Sequence, residues 1–125
     1  MIEQHLKTLA EEFQFPYNHL NKIVSCNLSP PFTIEYKEKR LILFGQLPNI
    51  NEDNKEEVYL KIMQLNLALE SVESLNIGMT QDDKLMLHAD LNYSLSYKQL
   101  TSLIESFANH LDKISSMLQD LNKVK

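Results

Sequence analysis

Apolar residues recur at helical spacing at both ends of the chain and predict a helix at each end. In the first segment charged residues separate the apolar ones, which are Ile2, Leu6, Leu9, Ala10 and Phe13. This is the pattern of an amphipathic helix, and we expect it to end near Phe15, before Pro16. Near the other end Ser96 and Gln99 match a capping box, which predicts a helix from there to about Leu121.

The last helix repeats its apolar residues at spacings of four and three, a pattern that is also typical of coiled coils. The repeating residues are Leu100, Ile104, Phe107, Leu111, Ile114, Leu118 and Leu121. The flanking positions carry residues such as Leu103, His110 and Ser115, so the oppositely charged pairs that set partner choice in coiled coils are absent. We therefore expect a wide apolar face packed on a sheet.

Between these helices apolar and polar residues alternate with the period of half-buried strands. Phe32 to Tyr36 and Leu41 to Leu47 flank a polar turn and predict a hairpin. The stretches from Leu75 to Met79 and from Leu85 to Leu91 predict a second one. The segment from residue 17 to residue 28 has a mixed pattern, in which residues 23–28 are the candidate for an irregular strand.

A middle helix with two apolar faces is predicted between the hairpins, starting at Asn54 with Glu57 three residues later. One stripe contains Val58, Ile62, Leu65, Leu69 and Val72, and the nearly opposite side carries Leu60, Met63 and Leu67. A helix at the edge of a two-layer domain buries one face, so the second face is expected to meet another element or a second copy of the chain. A fully enclosed core helix is the alternative.

The predicted order is helix, two or three strands, helix, two strands, helix. This order indicates an α+β fold with an antiparallel sheet and three helices, in a single domain over residues 1–125. The strand from Leu41 to Leu47 is apolar on both faces, because Leu41 and Leu43 point one way and Ile42 and Phe44 the other. Together with the second helix face, it provides more apolar surface than one core needs, and such surplus usually marks interfaces.

The net charge of -5, from 12 basic and 17 acidic residues, disfavours nucleic acid and anionic membranes as partners. No stretch has the roughly 20 apolar residues of a spanning helix, and residues 1–12 lack the apolar run of a signal peptide. Cys26, the only cysteine, excludes an internal disulfide and agrees with a reducing compartment. We therefore expect a cytoplasmic protein.

The residues offer little catalytic chemistry. Gly45 and Gly78 are the only glycines, so a glycine-rich phosphate loop is excluded. The four histidines lie in separate elements without the spacing of a metal site, and we expect no cofactor and no metal. An enzyme with dispersed catalytic residues around His88 or Cys26 is the least favoured alternative.

The chain resembles the class I type III secretion chaperones, the family that includes the chaperone of the translocated intimin receptor. The matching pieces are Ile62-Met63-Gln64-Leu65-Asn66-Leu67 in the middle helix, Ile77-Gly78-Met79, Asp82-Asp83, Leu85-Met86-Leu87, and Leu100, Leu103 and Phe107 in the last helix. The resemblance implies a bacterial homodimer that captures an extended, non-globular segment near the amino terminus of secreted effectors without ATP. It also leaves the secretion ATPase as a candidate partner.

This resemblance and the surplus apolar surface together suggest which residues join the two subunits and which contact the effector. We expect the two subunits to meet through Leu60, Met63, Leu67, Leu75, Ile77 and Met79. We expect effector contacts at Phe13, Phe15, Tyr36, Ile42 and Phe44. The main alternative is a regulatory or scaffolding α+β homodimer of a secretion system that binds a folded partner.

Overall fold

The computed structural model describes residues 2–69, 75–82, 84–91 and 95–123, with side chains described as far as Leu121. The elements are α1 (Ile2–Phe13), β1 (Tyr17–Asn18), β2 (Ile23–Cys26), β3 (Phe32–Lys37), β4 (Arg40–Gln46), a 3-10 turn (Glu52–Asn54), α2 (Lys55–Leu69), β5 (Leu75–Met79), β6 (Leu85–Leu91) and α3 (Tyr97–Lys123). The predicted α+β order is confirmed. Four strands, not two or three, precede the middle helix, because the mixed segment 17–28 contributes both β1 and β2.

The strands form one antiparallel sheet in the order β1-β2-β3-β4-β6-β5. On one face of the sheet, Leu43 of β4 lies opposite Ala89 of β6, and both are fully buried against the helices. The next pair, Phe44 and His88, points to the other face, where both residues are partly exposed. The sheet therefore has a helix-covered face, and an outer face with partly exposed apolar side chains.

The helix α3 spans the covered face and supplies most of the helical core. Its repeating residues from Leu100 to Leu118 are buried, Leu121 is partly buried, and Leu103 and Ser115 beside the repeat are buried too, which confirms a wide packed face. The rings of Phe32 and Phe107 lie 5.0 Å apart between centroids. A Cβ atom at Gly45 would lie 2.7 Å from a methyl carbon of Leu111, so glycine at this point in β4 allows the close approach of α3.

The capping box at the start of α3 is present as predicted. The Gln99 amide donates to the Ser96 hydroxyl at 3.1 Å, and the Ser96 amide donates to the Gln99 side chain at 2.9 Å. The helix α1 ends at Phe13, before the predicted Phe15. Gln14 takes a left-handed conformation with φ 57°, and the Phe15 amide donates to the Ala10 carbonyl at 2.9 Å, as in a Schellman motif.

The middle helix starts at Lys55, directly after the predicted Asn54, but the Asn54 side chain does not act as its cap. Asn51 caps the preceding 3-10 turn, because its side chain accepts from the Asp53 amide at 3.0 Å. Asn54 is buried instead, and its side-chain amide donates to the Leu121 carbonyl at 2.7 Å, which ties the start of α2 to the end of α3. The predicted end near Val72 lies outside the described residues.

Candidate functional site

The helix α2 has the two apolar faces that its spacing predicts. Val58 and Leu69 are buried against the core, with 1% and 5% of their surface exposed. On the other side Leu60, Met63 and Leu67 are 58%, 65% and 72% exposed. We call these three residues the α2 outer face. The alternative of a fully enclosed core helix is therefore wrong for the isolated chain.

Asn66 fixes α2 along the outer edge of the sheet. Its side-chain oxygen accepts from the Ile77 amide at 2.7 Å, and its side-chain nitrogen donates to the Ile77 carbonyl at 3.0 Å. β5 is the last strand on this side, so these are edge groups that β6 does not use. The side chain thus takes the place of a neighbouring strand at Ile77 and closes the edge there to another chain.

The structure divides the residues predicted for the dimer interface. Leu60, Met63, Leu67 and Met79 expose large apolar side chains, whereas Leu75 and Ile77 are 5% exposed and belong to the core of their own chain. Side chains buried in this way support the surface from beneath. The interface itself stays a prediction, and only the four exposed residues can carry its contacts.

A concave apolar groove lies between the end of α1, the loop after β2, and α3. Its volume is about 340 Å³, and its lining consists of Leu9, Phe13, Phe15, Leu28, Thr101, Ile104, Glu105, Ala108 and Asn109. The rings of Phe13 and Phe15 stack with centroids 5.7 Å apart and an interplanar angle of 19°. The left-handed turn at Gln14 reverses the chain between these two residues, so both rings border the groove.

Contacts between α1 and α3 hold this α1–α3 groove in shape. The Tyr97 hydroxyl at the start of α3 donates to the Glu12 carboxylate near the end of α1. Desolvation, followed by this hydrogen bond, raises the pKa of Tyr97 from 10.0 to about 12, so the phenol keeps its proton and keeps donating even at pH values above 10. The groove is therefore a preformed site rather than one that needs a helix to move.

The outer face of the sheet carries a second partly apolar surface around Phe44. Ile42 and Phe44 are half-exposed there, and Phe44 and Met86 both border two shallow grooves of about 360 and 240 Å³. The Thr33 hydroxyl lines the smaller groove and is buried without a hydrogen-bond partner in the described chain.

The five predicted effector contacts therefore fall on more than one surface. Phe13 and Phe15 meet at the α1–α3 groove, whereas Ile42 and Phe44 share the outer sheet face. Tyr36 belongs to neither pair, because it packs against the core beneath the Lys22 ammonium, 5.9 Å from its ring centre. Sequence analysis missed Leu28 and Glu105, which have no pattern linking them to Phe13 before the chain folds.

Groups suited to catalysis or metal binding are dispersed in the folded chain. Among the described residues no three histidine, cysteine or acidic side chains are placed to hold a metal ion. Cys26 is buried, and burial raises the pKa of its thiol to about 12, so it is a poor nucleophile at neutral pH. Within the described residues no helix is both long and apolar enough to cross a membrane.

Comparison with known families gives the decisive match. A model of the Tir chaperone protein (CesT) family matches residues 4–115, which is nearly the whole chain. The chain belongs to this family. The predicted membership of the class I type III secretion chaperones is thereby confirmed, and the Asn66-Leu67 step that carried part of the resemblance is the one that closes the β5 edge.

Solved structures share the fold at low sequence identity. In the ExsC–ExsE complex, the matching chain has a TM-score of 0.73 and 15% identity, with 94% of this chain and 92% of that one covered. The Yersinia pestis type III secretion chaperone SycH, in complex with a stable fragment of YscM2, matches with a TM-score of 0.65 and 19% identity. This match covers 92% of this chain and 100% of that one.

The fold also occurs outside the secretion chaperones. YbjN from E. coli, described as a candidate transcription regulator, matches with a TM-score of 0.65 and 11% identity, over 96% of this chain and 90% of its own. No curated protein sequence matches the chain as a relative. The family match, and not the fold alone, therefore carries the functional assignment.

Proposed function

We propose that this chaperone binds an extended segment near the amino terminus of one or more secreted effector proteins and keeps that segment soluble and non-globular. The observation that carries the proposal is the α1–α3 groove, a preformed apolar site on a chain that belongs to a chaperone family. A single side chain of an extended peptide fits a groove of about 340 Å³.

Burial of apolar side chains supplies the binding energy. Each fully buried leucine, isoleucine or phenylalanine contributes about 1.5–3 kcal/mol before the cost of ordering the segment is subtracted. Several such contacts along one segment are enough for stable binding without nucleotide hydrolysis. A segment whose apolar residues are held apart in separate grooves cannot collapse on itself, so it stays unfolded and does not aggregate.

The outer sheet face around Ile42 and Phe44 is a second place for the same segment. Its two shallow grooves share Phe44 and Met86 as walls, so neighbouring client side chains could sit on either side of them. The closed edge at Ile77 leaves less of the sheet for backbone addition. We therefore propose that side-chain burial, more than strand addition at β5, holds the client.

The chaperone is further proposed to act as a homodimer in the bacterial cytoplasm. The α2 outer face and Met79 expose four large apolar side chains, and a second copy presents the same surface in return. Isologous pairing of two such faces would bury them without any other partner. The secretion ATPase stays a candidate partner for delivery of the loaded complex.

Affinity purification of the tagged protein from the bacterium that encodes it tests this function. We expect a partner in fixed stoichiometry that limited proteolysis cuts everywhere except over an extended amino-terminal segment, identified by mass spectrometry. A partner that resists proteolysis along its whole length would contradict the proposal and favour the regulatory dimer. Loss of the partner on addition of ATP alone would contradict the nucleotide-independent part.

A further inference from the structure

The α1–α3 groove contains one charged side chain in the described part of its lining, and that side chain is acidic. Glu105 stands among apolar residues and the neutral polar Thr101 and Asn109. It is exposed and makes neither a hydrogen bond nor an ion pair with any described residue. Glu12 near the end of α1 differs in this respect, because it accepts a hydrogen bond from the Tyr97 hydroxyl.

A carboxylate without a partner at the rim of an apolar site changes which peptide can fill the site. When a client side chain displaces water from the groove, the carboxylate loses part of its hydration and its field acts through a medium of lower dielectric constant. A neighbouring acidic group on the client is then repelled, and a neighbouring basic group is attracted. The net charge of -5 on the chain acts in the same direction at longer range.

We propose that the groove selects a segment in which a large apolar side chain lies within a few residues of an arginine or a lysine, with Glu105 binding the basic group. This rests on the proposed function, and it adds the chemistry that distinguishes one client segment from another. Arginine is favoured over lysine, because its planar guanidinium forms two parallel hydrogen bonds to a carboxylate. The apolar residue supplies the affinity and the ion pair supplies the selectivity.

Fluorescein-labelled peptides with several spaced leucines in an otherwise polar sequence test this proposal directly, because one buried leucine alone gives too little affinity to measure. An arginine, glutamine or glutamate is placed at the same distance from each leucine, and this distance is varied from one peptide to the next. Fluorescence anisotropy gives the dissociation constant with the purified full-length protein. At the best position we expect the arginine peptide to bind about two- to fivefold tighter than the glutamine peptide at low salt. The ratio should fall towards one in 0.5 M salt, where charges are screened within about 4–5 Å.

Substitutions on α3 assign the effect to one carboxylate. Glu105→Gln should remove the preference, and Glu105→Lys should reverse it in favour of the glutamate peptide. Asp112→Asn is the matched control, since Asp112 is an exposed carboxylate two turns further along the same helix and does not line the groove. The preference should persist in that variant.

The outcomes separate this proposal from the function on which it rests. Suppose that arginine and glutamine peptides bind with equal affinity at every position, and that Leu28→Asp still abolishes their binding. This result would overturn the role of Glu105 and leave the groove as the client site. A preference that survives Glu105→Gln would also overturn it. Binding that Leu28→Asp leaves unchanged, or no binding by any peptide, would contradict the groove itself as the client site.

Discussion

The α1–α3 groove and the α2 outer face both expose large apolar side chains, but they differ in shape. In the groove Phe13 and Leu28 stand above a floor that includes the buried Ile104. On α2 the exposed side chains of Leu60, Met63 and Leu67 project from one convex helix. A concave site can surround a single side chain of a flexible peptide. A convex face buries its side chains only against an extended complementary surface, and a second copy of the same helix provides one. Shape, more than exposure, is therefore our reason for proposing the groove as the client site and the α2 outer face as the dimer interface.

The largest effect is expected from Met63→Glu, which changes the α2 outer face and leaves the groove intact. In a symmetric interface the substitution places two unpaired carboxylates near each other, and we expect the dimer to weaken by at least 100-fold, about 2.7 kcal/mol. Light scattering should show a folded monomer, with its circular dichroism spectrum unchanged. Met117→Glu is the control, because Met117 is an exposed methionine on α3. A Met63→Glu protein that stays dimeric would exclude this face as the interface.

A smaller effect, on stability, is expected from Asn66→Ala beneath the same face. The variant removes both hydrogen bonds to the Ile77 backbone, and we expect the free energy of unfolding to fall by about 2 kcal/mol. Urea unfolding at one fixed protein concentration measures this change. Asn76→Ala, at an exposed position of β5, should change stability by less than about 0.5 kcal/mol. Equal stability of the two variants would show that the Asn66 contacts contribute nothing.

Leu28→Asp changes the α1–α3 groove and leaves the α2 outer face unaltered. It introduces a carboxylate where a client side chain should pack, and we expect client affinity to fall at least tenfold, about 1.4 kcal/mol, with the dimer unchanged. Leu20→Asp is the matched control, since Leu20 is 89% exposed and does not line the groove. Client co-purification and light scattering on both variants give the result. Equal loss of client in the two variants would mean that overall charge, not the groove, governs capture.

The smallest effect is expected at Cys26, which lies in neither surface. Burial raises the pKa of the Cys26 thiol from its ordinary value of 9.0 to about 12, so ionisation favours unfolding as pH rises from about 9 towards 12 and has no influence on stability below that range. At pH 8 we expect Ellman's reagent to label the folded protein slowly and to label one thiol at once in urea. Rapid labelling of the folded protein would show an accessible, reactive thiol and would favour the alternative of an enzyme that uses Cys26.

Features that depend on residues close together along the chain are predictable from the amino-acid sequence. The spacing of 100° per residue separates Leu60, Met63 and Leu67 from the buried stripe of α2, and the structure keeps them apart. The alternation in β4 predicts which of its residues share a face, and the structure confirms that Leu41 and Leu43 lie on one face and Ile42 and Phe44 on the other. The capping box at Ser96 fixes the start of α3, because both of its hydrogen bonds join residues three apart.

Features whose partners lie far apart in the sequence became visible in the folded chain. The two-residue strand β1 is too short for any period to reveal, and its strand conformation depends on pairing with β2. Asn54 resembles a helix cap, yet it is buried against Leu121, 67 residues away. The α1–α3 groove exists because folding brings Leu28 beside Phe13 and Glu105. Local patterns report which side of an element is apolar, whereas the identity of its neighbours follows from packing in three dimensions, and the α1–α3 groove is made of such neighbours.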